Sequence, residues 1–91
     1  METNETSLHE IKVYAALSSD PTAWLSSAQV AERTGIAPRT ARHHLLKLSR
    51  LGVVDCAEVF PGHKYQVAKK ASKRNSGYVQ RLEKAREVFG L

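Results

Sequence analysis

The chain of 91 residues contains one cysteine, one tryptophan and three prolines. It has no apolar run approaching the roughly 18 residues that a membrane-spanning helix needs. The lone Cys56 cannot close an internal disulfide, and it leaves no second thiolate for a structural zinc or a cysteine-based metal sensor. No metal site or cofactor motif is therefore expected, and the core must hold by packing alone. The opening stretch METNETSLHE carries acids where a secretory signal would carry a basic region followed by apolar residues, so a cytoplasmic, intracellular location is expected. No self-similarity appears at a period of about 20–50 residues, which excludes solenoid arrays. Ser, His and Asp all occur, but nothing in their spacing brings a nucleophile, a base and an orienting acid together, so no enzyme is expected.

What is present is ordinary globular material, with 42% hydrophobic and 25% charged residues. This is the length of one small domain with one core. The formal net charge is +5 and the isoelectric point near 9.7, which points to an anionic partner, nucleic acid first. The charge is uneven: residues 1–30 carry a net −3, residues 31–61 a net +2, and residues 62–91 a net +6.

Residues 1–6 are expected to be disordered, and the S-x-x-E spacing of Ser7 and Glu10 predicts a capping box opening a helix that runs to about Ser18. Leu8, Ile11 and Ala15 share one face of that helix, while Val13 and Leu17 lie on nearly the opposite one. Both sides want burial, one on the domain core and the other on a further helix or a second copy of the chain. Ser26 to Gln29 repeats the capping-box spacing and predicts a short second helix over 27–34, closed by Gly35. Pro38 suits the first position of a third helix, where its missing N–H costs nothing.

At about 100° per residue, that third helix (38–51) gathers Ala41, Leu45 and Leu48 on a core arc flanked by His44 and Leu51. Its opposite arc carries Arg39, Arg42, His43, Leu46 and Arg50, with Thr40 and Lys47 to one side. His43 and His44 point about 100° apart and cannot share one metal ion, so His44 reads as a half-buried packing residue. After Gly52, the β-branched segment 53–59 predicts a strand, Phe60 to His63 a type II turn with Gly62 at its third position, and 64–67 a returning strand. A basic linker follows over 68–76. Tyr78, Leu82, Ala85 and Phe89 then recur as the single stripe of an amphipathic helix over 77–91. The fold class expected is mainly α with a small β-hairpin (α+β).

A short helix, a glycine-containing turn, a helix with a basic outer face and a hairpin after it resemble the winged helix-turn-helix of transcription regulators of the ArsR and MarR type. Residues 25–67 carry the resemblance, through Ala31, Gly35, Ile36, Thr40, Ala41, His44, Leu45, Leu48, Gly52, Val53 and Val54, and through the wing pattern from Gly62 to Val67. Position 37 departs from it. Such regulators usually place Ser or Thr there to cap the recognition helix, and alanine costs about 1 kcal/mol.

The resemblance implies sequence-specific binding of double-stranded DNA, with helix 38–51 in the major groove and the hairpin as a wing. Arg39, Thr40, Arg42 and His43 then sit where bases are read, with the two arginines suited to guanine. Lys47, Arg50, His63 and Lys64 suit phosphate, and Lys69, Lys70, Lys73 and Arg74 extend the same footprint. A homodimer is expected, with Val13, Leu17, Tyr78, Leu82, Ala85 and Phe89 at its interface, and repression is the default role. No small-molecule ligand is evident. Two alternatives stay open on the sequence: a replication or plasmid-maintenance factor using the same fold, and a protein–protein adaptor without DNA contact.

Overall fold

Six elements follow one another: α1 (Leu8–Ser18), α2 (Ser27–Thr34), α3 (Pro38–Arg50), β1 (Val54–Val59), β2 (Gly62–Val67) and α4 (Ser76–Phe89). The structure is a computed structural model and describes residues 8–59, 62–68 and 76–91. The expected disordered start and most of the basic linker, including Lys69, Lys70, Lys73 and Arg74, lie outside the described residues.

Helix α1 is the centre of the molecule. Ile11, Val13, Tyr14, Ala15 and Leu17 are all buried, and the helix packs on α2, α3, β2 and α4. Its two apolar faces are both covered within the chain, by the elements that surround it. Val13, Leu17 and Leu82, expected at a dimer interface, are each 0% exposed and belong to the chain's own core instead. Tyr78 and Ala85 are half-buried and also pack against that core, which leaves Phe89, 54% exposed, as the outward member of the α4 stripe. The Tyr14 hydroxyl donates to the Glu83 carboxylate and joins the two helices by a second means.

Helix α2 starts as its sequence dictates. The Gln29 amide donates to Ser26 Oγ at 3.2 Å, and the Ser26 amide donates to Gln29 Oε1 at 2.9 Å, closing the capping box. It ends at Gly35, whose φ of 75° is the left-handed conformation that glycine enters at little steric cost. Ile36 then inserts into the core, and Pro38 opens α3, whose N-cap Ala37 makes no side-chain hydrogen bond. Helix α3 buries Ala41, Leu45 and Leu48, the arc that its periodicity marks.

Strands β1 and β2 pair antiparallel from Val54 with Val67 to Val59 with Gly62. Gly62 pairs with Val59 and is the first residue of β2; Phe60 and Pro61, the first half of the expected turn, lie outside the described residues. Leu25 adds an isolated bridge to Tyr65, exchanging both backbone hydrogen bonds at 2.8 Å. Gln66 Nε2 also donates to the Thr22 carbonyl at 2.9 Å, so the stretch before α2 holds the base of the hairpin. In β1 only Val54 is buried, and the rest of the strand stands away from the core.

Candidate nucleic-acid interface

Helix α3 is fixed on three sides, by α1, by α2 and by the hairpin, and its remaining side faces outward. Arg39, Arg42, His43 and Arg50 are exposed there, with Leu46 among them at 36% exposure. None of the three arginines is ion-paired to an acid among the described residues, so their guanidinium groups are free to meet an anion. Thr40 is half-buried at the edge of this face. The buried arc on one side and the arginine face on the other follow from the same helical repeat.

Lys47 behaves differently from the other cations of α3. Its Nζ lies 2.8 Å from Oε1 of Glu10, a carboxylate that α1 buries completely. His44 Nδ1 lies 3.4 Å from the same oxygen, its side chain only 12% exposed. Burial pushes the His44 imidazole below its ordinary value against the pull of Glu10, with His43 and Lys47 adding to the depression. The His9 and His43 rings approach the His44 ring edge-on, with centroids 6.3 and 5.2 Å away. Among the described residues, no group of three or more His, Cys, Asp or Glu side chains is placed to hold a metal ion.

Glu10 has a role at α3 that its sequence context does not show. The S-x-x-E spacing points only to a capping box with Ser7, which lies outside the described residues; the contact of the Glu10 carboxylate with Lys47 and His44 of α3 is not read from the sequence. The signal available is its helical face, which Val13, Tyr14 and Leu17 share at i+3, i+4 and i+7.

On the wing, His63 is exposed and its Nε2 lies 3.8 Å from Glu58 Oε2 across the strand pair, while Lys64 is half-buried opposite Ala57. Asp55 and Glu58 are exposed on β1, so the described part of the wing is less cationic than α3. The anion-binding character of this surface therefore centres on the recognition helix.

A family model described as winged helix-turn-helix DNA-binding matches residues 7–55, which span α1, α2, α3 and the start of β1. The chain belongs to the winged helix-turn-helix DNA-binding family. It is a DNA-binding domain, and DNA is its partner. Solved structures share the fold at low identity. A protein of Methanosarcina mazei Go1 described as a possible transcriptional regulator is 13% identical, covers 90% of this chain and 78% of its own, and gives a TM-score of 0.65. A protein of the thermoacidophilic archaeon Sulfolobus tokodaii is 16% identical over 93% of this chain and 84% of its own, with a TM-score of 0.67. The zinc-responsive MarR family member ZitR of Lactococcus lactis is 16% identical over 98% of this chain and 62% of its own, with a TM-score of 0.56. A search of curated proteins finds no match to this sequence. No helix among the described residues is long and apolar enough to cross a membrane.

Proposed function

We propose that this winged helix-turn-helix protein is a cytoplasmic, sequence-specific transcriptional repressor, a binding protein and not an enzyme, that reads double-stranded DNA as a homodimer. The observation that carries the reading is the outer face of α3, where Arg39, Arg42 and Arg50 stand exposed without acidic partners among the described residues, on a helix whose other faces are packed. Arg39, Thr40, Arg42 and His43 occupy the N-terminal half of the helix, the part that approaches base edges when such a helix enters the major groove. Arg50 and the wing residues His63 and Lys64 meet phosphate, and Lys69, Lys70, Lys73 and Arg74 continue the backbone footprint.

The dimer uses the outward end of α4. Val88 is 74% exposed, Phe89 54% and Leu91 41%, three apolar side chains on the last turn and just beyond it. A two-fold axis there repeats α3 on a pseudo-palindromic site with half-sites about one DNA turn apart.

Fluorescence anisotropy with duplex DNA over a range of salt separates the roles. Arg39→Ala is expected to cost about 1–3 kcal/mol and to relax base preference at one position, while Arg50→Ala weakens all sequences alike and makes the log–log salt slope shallower by about 1. Equal losses on every duplex for both variants would remove Arg39 from base reading.

A further inference from the structure

Resting on the DNA reading of α3, we propose that Glu10 is a positioning residue for recognition: its buried carboxylate grips Lys47, sets α3 against α1, and keeps Lys47 off the phosphates. Arg39, Arg42, His43 and Arg50 are then the cations of α3 that face DNA.

The argument starts from burial. Glu10 is 0% exposed, and a carboxylate is rarely found at such a place without a cation or several hydrogen bonds. The cation is Lys47, with Nζ at 2.8 Å. His44 shares the same carboxylate oxygen at 3.4 Å, but burial disfavours its charged form, so the ammonium is the positive partner. The Lys47 side chain as a whole is 50% exposed, yet its ammonium lies against a carboxylate that is itself buried, and does not reach only into water.

The position on the helix gives the pair its consequence. At about 100° per residue, Lys47 lies roughly 60° from His44 and roughly 80° from Arg39, at the border between the α1 contact and the outer face. A charge at that border is able to serve either side, and Glu10 assigns it to α1. A buried ion pair adds little net stability over an apolar pair of equal size, and its better-attested use is to fix one arrangement among near-equal ones. Leu45 and Leu48 anchor α3 in the core by non-directional apolar contact, and the Glu10 and Lys47 contact adds a directional one at its border. Arg39 and Arg42 are presented at the angle that this contact sets.

Two measurements on the full chain test the role. A double-mutant cycle with Glu10→Gln, Lys47→Met and the pair, followed by urea unfolding without DNA, is expected to show coupling on the order of tenfold in the unfolding equilibrium. Salt titration of duplex binding is expected to give the same log–log slope for Lys47→Met as for the unaltered chain. Glu10→Gln is expected to steepen the slope by about 0.9, because the released ammonium reaches a phosphate, and adding Lys47→Met to it restores the original slope. Base preference in Glu10→Gln falls while its affinity for arbitrary duplex rises. Additive effects in the unfolding cycle overturn the pairing and leave DNA binding standing. A slope made shallower by about 0.9 by Lys47→Met alone shows that Lys47 already touches phosphate, and overturns the role even if Glu10→Gln does not fold. No binding of any duplex by the unaltered chain overturns the DNA reading itself, an outcome the DNA-free cycle keeps distinct.

Discussion

Leu25 and Tyr65 exchange both of their backbone hydrogen bonds at 2.8 Å, and this one bridge ties the wing to the segment that launches α2. A two-stranded hairpin is marginal by itself in water, so the wing depends on what its base is fastened to. Tyr65 is 2% exposed and fills the core between the hairpin and the helices, while its backbone carries the bridge. Burial also raises its hydroxyl pKa, with Cys56 adding to the rise.

Truncating that ring removes the anchor. Tyr65→Ala is expected to cost about 3–5 kcal/mol, the range for deleting a buried aromatic side chain. Urea unfolding measures it, and a loss under about 1 kcal/mol would mean that the wing is held by its backbone alone.

Helix α4 makes two separable predictions. Leu82 is 0% exposed and Phe89 54%, although they belong to one stripe. Leu82→Ala is expected to lower stability by about 2–5 kcal/mol at fixed oligomeric state. Phe89→Ala is expected to shift sedimentation toward monomer while changing the stability of the single chain by less than about 0.5 kcal/mol. Sedimentation unchanged by Phe89→Ala would move the dimer contact elsewhere.

The missing cap of the recognition helix is open to repair. Ala37 sits at φ −58° and ψ 142°, exposed, with no side-chain bond to the first turn of α3. Ala37→Ser supplies an acceptor and is expected to add about 1 kcal/mol. For a domain of this size that raises Tm by about 4–8 °C. A lowered Tm would show that the first turn of α3 is satisfied by another group.

Acid acts on the fold through His44. Its folded-state pKa lies below the ordinary imidazole value of 6.5 because it is buried, facing Glu10, Lys47 and the neighbouring His43. The unfolded chain therefore takes up a proton that the folded chain refuses. Stability contributed by neutral His44 is intact above the unfolded value, falls as pH drops below it, and stops falling below the folded value. The loss is at most about 1.4 kcal/mol per pH unit. Urea unfolding between about pH 7.5 and pH 5.5 should show a larger loss for the unaltered chain than for His44→Asn. Equal losses would remove His44 as the titrating group.

The elements that local chemistry dictates were legible in the sequence. Ser26 and Gln29, Gly35, Pro38 and the arc of Ala41, Leu45 and Leu48 each carry a cap, a turn or a period, and the helices fall where these residues set them. What depended on distant partners was not legible. Val13 and Leu17 look the same in a sequence whether the chain's own elements or a second copy cover them, and only the folded chain, which leaves both 0% exposed, decides it. Gly62 next to proline reads as a turn, yet strand pairing claims it for β2. Glu10 fits a capping box by spacing, but nothing in the spacing shows that Lys47, far along the chain, meets its carboxylate. The outer face of α3 was legible because helical period alone separates its arginines from its leucines.

The most direct test of the central claim is selection of bound sequences from a randomised double-stranded DNA pool at near-physiological salt, with an Arg39→Ala, Arg42→Ala chain in parallel. Base reading by α3 predicts a two-fold symmetric motif with half-sites about one turn apart, enriched by the unaltered chain and lost in the doubly substituted one. Enrichment of the same motif by both chains, or motif-free binding that vanishes as salt rises, would contradict it.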